Sequence, residues 1–229
     1  MIVGIHQPQY LPWIGYFDKV NKSDVFVILD DVQFEKNEWQ NRNKIRNKLE
    51  WQWLTVPTKY KFPELINEVK IDNSTGWKDK HYKGLEMNYS RAKYFEEYKY
   101  IFEDIYNKDW EYLSDINICL IEAINKILDI KTKLIKSSDI KVDGHSTDKL
   151  INICKTVGAD TYLSGVGGKD YLEIEKFEEN GIKIIFQEFE HPIYQQCFNN
   201  FHSHMSIVDL LFTQGYGKSK NYFSDRSTS

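Results

Sequence analysis

Two apolar runs near the start of the chain leave it few ways to fold. Ile2-Val3-Gly4-Ile5 and Val25-Phe26-Val27-Ile28-Leu29 read as strands, and residues 12–20 between them read as one helix. Strands joined by a tight turn pair antiparallel. An intervening helix instead carries the chain back to the same end, so the second strand runs parallel to the first. A parallel sheet needs cover on both faces, which makes the fold class α/β. Ligands of such sheets bind beyond the carboxyl ends of the strands. The first strand here runs into His6-Gln7-Pro8-Gln9-Tyr10-Leu11-Pro12-Trp13-Ile14-Gly15-Tyr16-Phe17. This loop is rich in His, Gln and aromatic side chains and poor in the Gly, Asn and Asp of ordinary turns.

Residues 32–72 break the strand–helix alternation. Trp51-Gln52-Trp53-Leu54-Thr55-Val56-Pro57 alternates large and polar residues, which predicts a β excursion with one or two hairpins. Residues 73–130 are helical in pattern. Tyr98, Ile101, Phe102, Ile105 and Tyr106 recur at three- and four-residue spacing, and Leu113, Ile116, Leu120, Ile121, Ile124 and Ile127 mark a further helix. Alternation then resumes, with strands expected at 134–138, 161–164 and 182–186. Helices are expected after a cap at Ser146 or Thr147, from about Asp170, and over 205–212. The expected architecture is a parallel-sheet, Rossmann-like α/β core from residues 1–72 and 131–229, split by a helical insertion at 73–130. The polar tail after Tyr222 is expected to fray.

The chain has 229 residues, enough for one domain with an insertion, and 41% hydrophobic content supplies a core. Its formal net charge of −4 gives no electrostatic basis for nucleic acid as the main partner. No stretch approaches the ~20 apolar residues of a membrane helix, and no basic-then-apolar leader opens the chain. Cys119, Cys154 and Cys197 are scattered without metal or disulfide spacing, which suits a reducing compartment. A cytoplasmic protein without a membrane span is expected.

Five groups could carry chemistry. His6 could bond a phosphate or carboxylate, or act as acid or base; the alternative is a histidine that satisfies a buried backbone group. Gln7 and Gln9 could read a polar ligand, and Tyr10 or Trp13 could stack on a ring, or the aromatics are core. Asp30 and Asp31 end the second strand and could hold Mg²⁺ or a hydroxyl, or are solvated charges. Lys36, Asn41, Arg42 and Asn43 lie in a basic, amide-rich segment suited to phosphates, or to a plain solvated face. Ser164-Gly165-Val166-Gly167-Gly168-Lys169 sits after a strand and before a helix, where backbone N–H groups could approach an anion; it lacks Walker spacing. His191, Tyr194 and Gln196 precede His202-Ser203-His204. Two histidines at i, i+2 without Cys or carboxylate support give no metal site.

Several of these segments resemble the WbqC-like family of bacterial proteins. They are the opening loop from His6 to Phe17, Thr147-x-x-Leu150-Ile151-x-Ile153-Cys154, and Gly158-Ala159-Asp160-Thr161-Tyr162-Leu163-Ser164-Gly165. Lys169-Asp170-Tyr171-Leu172, His191-Pro192-x-Tyr194-x-Gln196 and Ser206-Ile207-x-Asp209-Leu210-Leu211-Phe212-x-x-Gly215 extend the resemblance to the whole chain. Val166-Gly167-Gly168 stands where Pro-Ala-Ala or similar is expected. The element order also resembles nucleotidylyltransferase-like proteins such as pantothenate synthetase, although their H-x-G-H motif is absent.

The family resemblance implies a role in O-antigen or other cell-surface polysaccharide biosynthesis. Together the two resemblances imply amide formation, by acyl or aminoacyl transfer, on the amine of a nucleotide-linked deoxyamino sugar. ATP with Mg²⁺ would activate a carboxylate as an acyl-adenylate; otherwise an acyl-CoA or acyl-carrier donor would serve. His6, Asp30 and Asp31 would be catalytic. Gln7, Gln9, Tyr10, Trp13, Lys36, Asn41, Arg42, Asn43, Ser164, Gly165, His191, Tyr194 and Gln196 would bind substrate or phosphate. A homodimer is the candidate assembly. Nucleotidyl or glycosyl transfer, and a non-catalytic scaffold of the assembly pathway, are the alternatives.

Overall fold

The computed structural model describes residues 1–223; residues 224–229, which hold most of the polar tail, lie outside the described residues. β1 (Ile2–His6) leads through the His-Gln loop into α1 (Ile14–Lys22) and then β2 (Val25–Ile28). β1 and β2 are parallel, with Val3 opposite Val25 and His6 opposite Ile28. α1 begins later than its apolar pattern suggests, because Leu11 takes a positive φ of 44° and Trp13 stays extended. Gly15 lets the Trp13 indole lie against the helix: a Cβ there would stand 2.2 Å from the ring.

The β excursion consists of two antiparallel pairs, β3 (Arg42–Arg46) with β4 (Trp51–Thr55) and β5 (Thr58–Lys59) with β6 (Lys70–Ile71). Three helices follow: α2 (Trp77–Tyr89), α3 (Phe95–Asn107) and α4 (Leu113–Ile127). The chain then returns to the sheet through β7 (Lys133–Lys136), α5 (Ser137–Ile140), α6 (Ser146–Val157), β8 (Thr161–Ser164), α7 (Ile174–Glu179), β9 (Lys183–Phe186) and α8 (Ile207–Ser219). The apolar stripes of α2–α4 join those of α1 and α8 in one cluster that includes Phe17, Leu85, Phe102, Ile116, Ile124 and Phe212.

Five strands form one all-parallel sheet in the spatial order β7-β2-β1-β8-β9. Numbered along the chain within the sheet, this is the Rossmann-like order 3-2-1-4-5, which reverses direction between β1 and β8. The two faces follow the two-residue period of a strand. Val3, Ile5 and Val27 pack against Leu150 and Cys154 of α6 and Phe177 of α7. Phe26 and Ile28 point to the opposite face, with Phe17 and Val20 of α1.

Three elements depart from the sequence pattern. After β8 the glycine segment winds into a 3-10 turn, Val166–Asp170, and the α-helix starts only at Ile174. Gly168 packs so close to Ser164 that a Cβ would lie 2.1 Å from its Oγ. Thr147, expected as a cap for α6, instead accepts the Glu173 N–H at 3.3 Å. α8 runs past Phe212 to Ser219, across a kink where Gly215 has φ 67°. Among the described residues no helix is long and apolar enough to cross a membrane.

Candidate functional site

The reversal of strand order opens a cleft of about 360 Å³ at the carboxyl ends of β1 and β8. His6 and Gln7 enter from β1, and Ser164 and Gly165 from β8. Four residues that the sequence pattern singles out are thereby brought together, although about 160 positions separate them in the chain. Gln7 is held by Gln40, whose Nε2 donates to Gln7 Oε1 at 2.9 Å while its Oε1 accepts the Glu35 N–H. The wall opposite comes from α6, through Ser146 and Lys149, and from Gly167, Gly168 and Tyr171.

Lys19 of α1 also lines the cleft and is buried. Its Nζ donates to the Ile5 carbonyl at 2.8 Å, and burial brings its pKa down to about 7. Burial, aided by the Lys19 charge, lowers His6 to about 3, so its imidazole is neutral at physiological pH. His6 Nδ1 faces the Gln7 carbonyl at 3.2 Å. A carbonyl can only accept, which assigns the hydrogen to Nδ1 and a lone pair to Nε2. The Tyr16 ring packs edge-on against His6, with centroids 5.1 Å apart, and fixes its plane.

The carboxylates at the end of β2 are engaged within the fold. Asp30 is buried; its Oδ1 accepts from Ser137 Oγ and the Ser138 N–H, and its Oδ2 from Ser138 Oγ at 2.7 Å. It thus tethers β2 to the start of α5. Asp31 accepts from Ser137 Oγ and pairs with Lys149 Nζ at 2.8 Å. Asp31 therefore fixes the lysine that lines the cleft. Among the described residues no group of three His, Cys, Asp or Glu is placed to hold a metal ion.

The other sequence candidates lie elsewhere. Gln9 and Trp13 border a second, smaller cavity of about 190 Å³ with Trp39 and His204. Tyr10 is in the core, its hydroxyl 2.7 Å from His81 Nδ1 and bonded to the Tyr106 hydroxyl. Asn41 Nδ2 donates to the Val56 carbonyl, and Asn43 Nδ2 to those of Tyr10 and Leu11, so both amides tie loops down. The Arg42 guanidinium sits 4.1 Å over Trp53, and Lys36 is exposed. His191 stacks parallel to Trp13, and its Nε2 accepts the His204 N–H. Tyr194 and Gln196 both donate to Asp209 Oδ2.

The residues at or beside the cleft that the sequence did not mark as site candidates include Lys19, Gln40, Ser146, Lys149 and Tyr171. Lys19 left one signal, a charge adjoining the Tyr16, Phe17 and Val20 stripe of α1. Lys149 lies in an unspecified position of the Thr147-x-x-Leu150 segment.

The neutral histidines predict acid sensitivity. His81 is buried and its pKa is brought down to about 4 by burial. An unfolded histidine binds its proton near pH 6.5, so the stability gained from neutral His6 and His81 is complete above that value. It is lost as pH falls through 6.5 toward about 4 for His81 and about 3 for His6. At ~1.4 kcal/mol per unit, His81 alone removes roughly 3 kcal/mol by pH 4. Thermal melts of wild type and His81→Gln between pH 7.5 and 4 should show the smaller fall in the variant. Parallel curves would exclude a neutral His81.

An all-parallel 3-2-1-4-5 sheet with helices on both faces belongs to the Rossmann-like α/β class, whose ligands sit where the strand order reverses. The sequence matches the WbqC-like protein family over residues 7–221, and the chain belongs to that family. An uncharacterised protein of Mycobacterium tuberculosis, Rv1507c, is 37% identical over 217 residues, which cover 93% of this chain and 94% of the relative. No solved structure matches the chain at a significant level.

Proposed function

We propose that this protein is a biosynthetic enzyme of bacterial O-antigen or cell-surface polysaccharide that forms an amide on a nucleotide-linked deoxyamino sugar. The observation that carries this reading is the placement of His6 at the switch point of the sheet, Nδ1 bonded to the Gln7 carbonyl and Nε2 left with its lone pair, in a cleft that Lys19 and Lys149 also line. Amide formation needs a base at the attacking amine and cations at the leaving group. The sugar amine attacks the acyl carbonyl. A C–N bond forms, the C–O bond to an adenylate or the C–S bond to a thioester carrier breaks, and the amine proton passes to Nε2. Lys149, held by Asp31, and the backbone of Gly165 and Gly167 face the phosphates. Gln7 and Ser164 read sugar hydroxyls.

Ligand charge tunes the base. Burial is the larger cause of the low proton affinity of His6 and the Lys19 charge the smaller; an anionic diphosphate in the cleft would offset the second and raise that affinity part of the way. The donor is ATP with a carboxylate, or an acyl-CoA or acyl carrier. The oxygens of Asp30 and Asp31 already accept from Ser137, Ser138 and Lys149, so Mg²⁺ would arrive on the ATP phosphates.

The test is amide formation by mass spectrometry, with nucleotide-linked amino sugars and each donor class. His6→Gln should lower kcat by about 10²–10⁴-fold, the usual range for a positioned base, while substrate affinity changes little. An unchanged rate would remove His6 as the base. Release of nucleoside diphosphate without amide would mean glycosyl transfer, and pyrophosphate without amide nucleotidyl transfer. Tight binding with no product at all would mean a binding protein.

A further inference from the structure

The second cavity shares no lining residue with the cleft, and three segments of the chain build it: the opening loop, Trp39 and His204. Trp13 bridges to Ser206, and the Ser206 N–H donates to the Lys44 carbonyl at 2.8 Å, which locks the loop, β3 and the 191–206 segment together. Trp39, Trp51 and Trp53 cluster beside it, with Trp39 and Trp51 each within 5.6 Å of Trp53. Lys44, opposite Trp53 across the hairpin, places Nζ 4.4 Å from the Trp51 ring, and the Arg42 guanidinium lies 4.1 Å over Trp53.

Neither cation has an ion-pair partner within 4 Å among the described residues, in a chain with more acids than bases. Arg42 Nε is buried without a hydrogen-bond partner, and so is Gln9 Oε1 on the cavity wall. Buried polar atoms left unpaired are costly, and they are found where a ligand or water completes them. At about 190 Å³ the cavity is smaller than the ~300–1,000 Å³ that takes a drug-sized molecule, so it suits a single ring. The wall itself is Gln9, Trp13, Trp39 and His204, with Lys44 Nζ 5.8 Å from the Trp39 ring and Arg42 one ring further on, over Trp53. An occupant that fits offers an apolar face to the indoles, a hydroxyl or N–H to Gln9 Oε1, and negative charge directed at Lys44, with Arg42 behind it.

We infer that this tryptophan-walled cavity is a binding site for an acidic saccharide ring, a pyranose bearing a carboxylate or phosphate, separate from the switch-point cleft. The sugar's C–H face lies on the indoles, its hydroxyl donates to Gln9, and its anion is directed at Lys44, with Arg42 behind it.

The test uses ¹⁵N-labelled protein and methyl β-D-glucuronide, which carries no nucleotide and so leaves the cleft reading untouched. The indole N–H signals of Trp13, Trp39 and Trp53 should shift. Those of Trp77 and Trp110, bonded to Asn73 and Ile105 away from the cavity, should not. Lys44→Gln and Arg42→Gln, checked for native spectra, should each weaken binding at least tenfold, and neutral methyl β-D-glucoside should bind at least tenfold more weakly than the glucuronide. Equal affinity for the two glycosides, response to 4-hydroxybenzoate but not to the glucuronide, or no shift at these indoles would each overturn the proposal. So would a change in sedimentation of the variants with no sugar response, which would make the face a protein interface.

Discussion

Asp209→Ala is expected to remove about 3–5 kcal/mol of folding stability, since each buried donor left without its acceptor costs on the order of 1–3 kcal/mol. Asp209 is buried in α8, inside the run Ile207-Val208-Asp209-Leu210-Leu211-Phe212. Its carboxyl accepts from the Tyr89 hydroxyl, the Tyr194 hydroxyl and Gln196 Nε2, each at 2.9 Å. Tyr89 in turn accepts the Arg46 N–H, and Arg46 is itself buried, its Nη2 donating to the carbonyls of Asn199 and Asn200. The network therefore joins α2, α8, β3 and the 194–200 segment. Alanine leaves three buried donors unanswered and removes a carboxyl that interacts electrostatically with Arg46. At 2–4 °C per kcal/mol for a chain of this size, Tm should fall by roughly 10 °C. Asp209→Asn keeps an acceptor and should lose less than half as much. Equal losses in the two variants would mean that packing, and not the hydrogen bonds, holds this junction.

The Asp209 junction also marks where sequence legibility ends. A carboxylate in an apolar run announces a buried partner, but neither Tyr89 nor Tyr194 is identifiable as that partner from periodicity. The first crossover, β8, β9 and α6 are legible because each depends on local apolar spacing that the sheet then uses. That His6, Gln7, Ser164 and Gly165 line one cleft is legible for a related reason, since each follows a strand end, where parallel sheets open toward ligands. Long-range hydrogen bonds are not legible. Asp30 has the chemistry of a catalytic acid, yet it accepts from Ser137 and Ser138, 107 and 108 residues away. Asn41 and Asn43 have the chemistry of phosphate ligands, yet they hold carbonyls of neighbouring loops. Lys19 escapes for the opposite reason: a lysine on an amphipathic helix is ordinarily solvated, and only tertiary packing buries this one.

Burial of Lys19 predicts a substitution that strengthens the fold while weakening the site. An unfolded lysine keeps its proton to about pH 10.5, whereas the folded one releases it above about pH 7. Between these values the folded state binds fewer protons, so stability rises with pH across this window and lacks the full gain at pH 7 and below. At ~1.4 kcal/mol per unit, the charged ammonium costs roughly 5 kcal/mol at neutral pH. Lys19→Met keeps the stem that packs under β1 and deletes the charge, at the loss of one bond to the Ile5 carbonyl, about 1–3 kcal/mol. The variant should therefore melt several degrees above wild type at pH 7, with the gap closing toward pH 10 as the wild-type amine goes neutral. Anionic ligands of the cleft should bind it at least tenfold more weakly, and the His6 pKa should rise because the neighbouring cation is gone. A lower Tm at pH 7 would mean that the Ile5 bond outweighs desolvation and that Lys19 is a structural strut. A raised Tm with unchanged ligand affinity would instead remove Lys19 from the site. The combination of greater stability and weaker binding is what distinguishes a residue buried for the ligand from one buried for the fold.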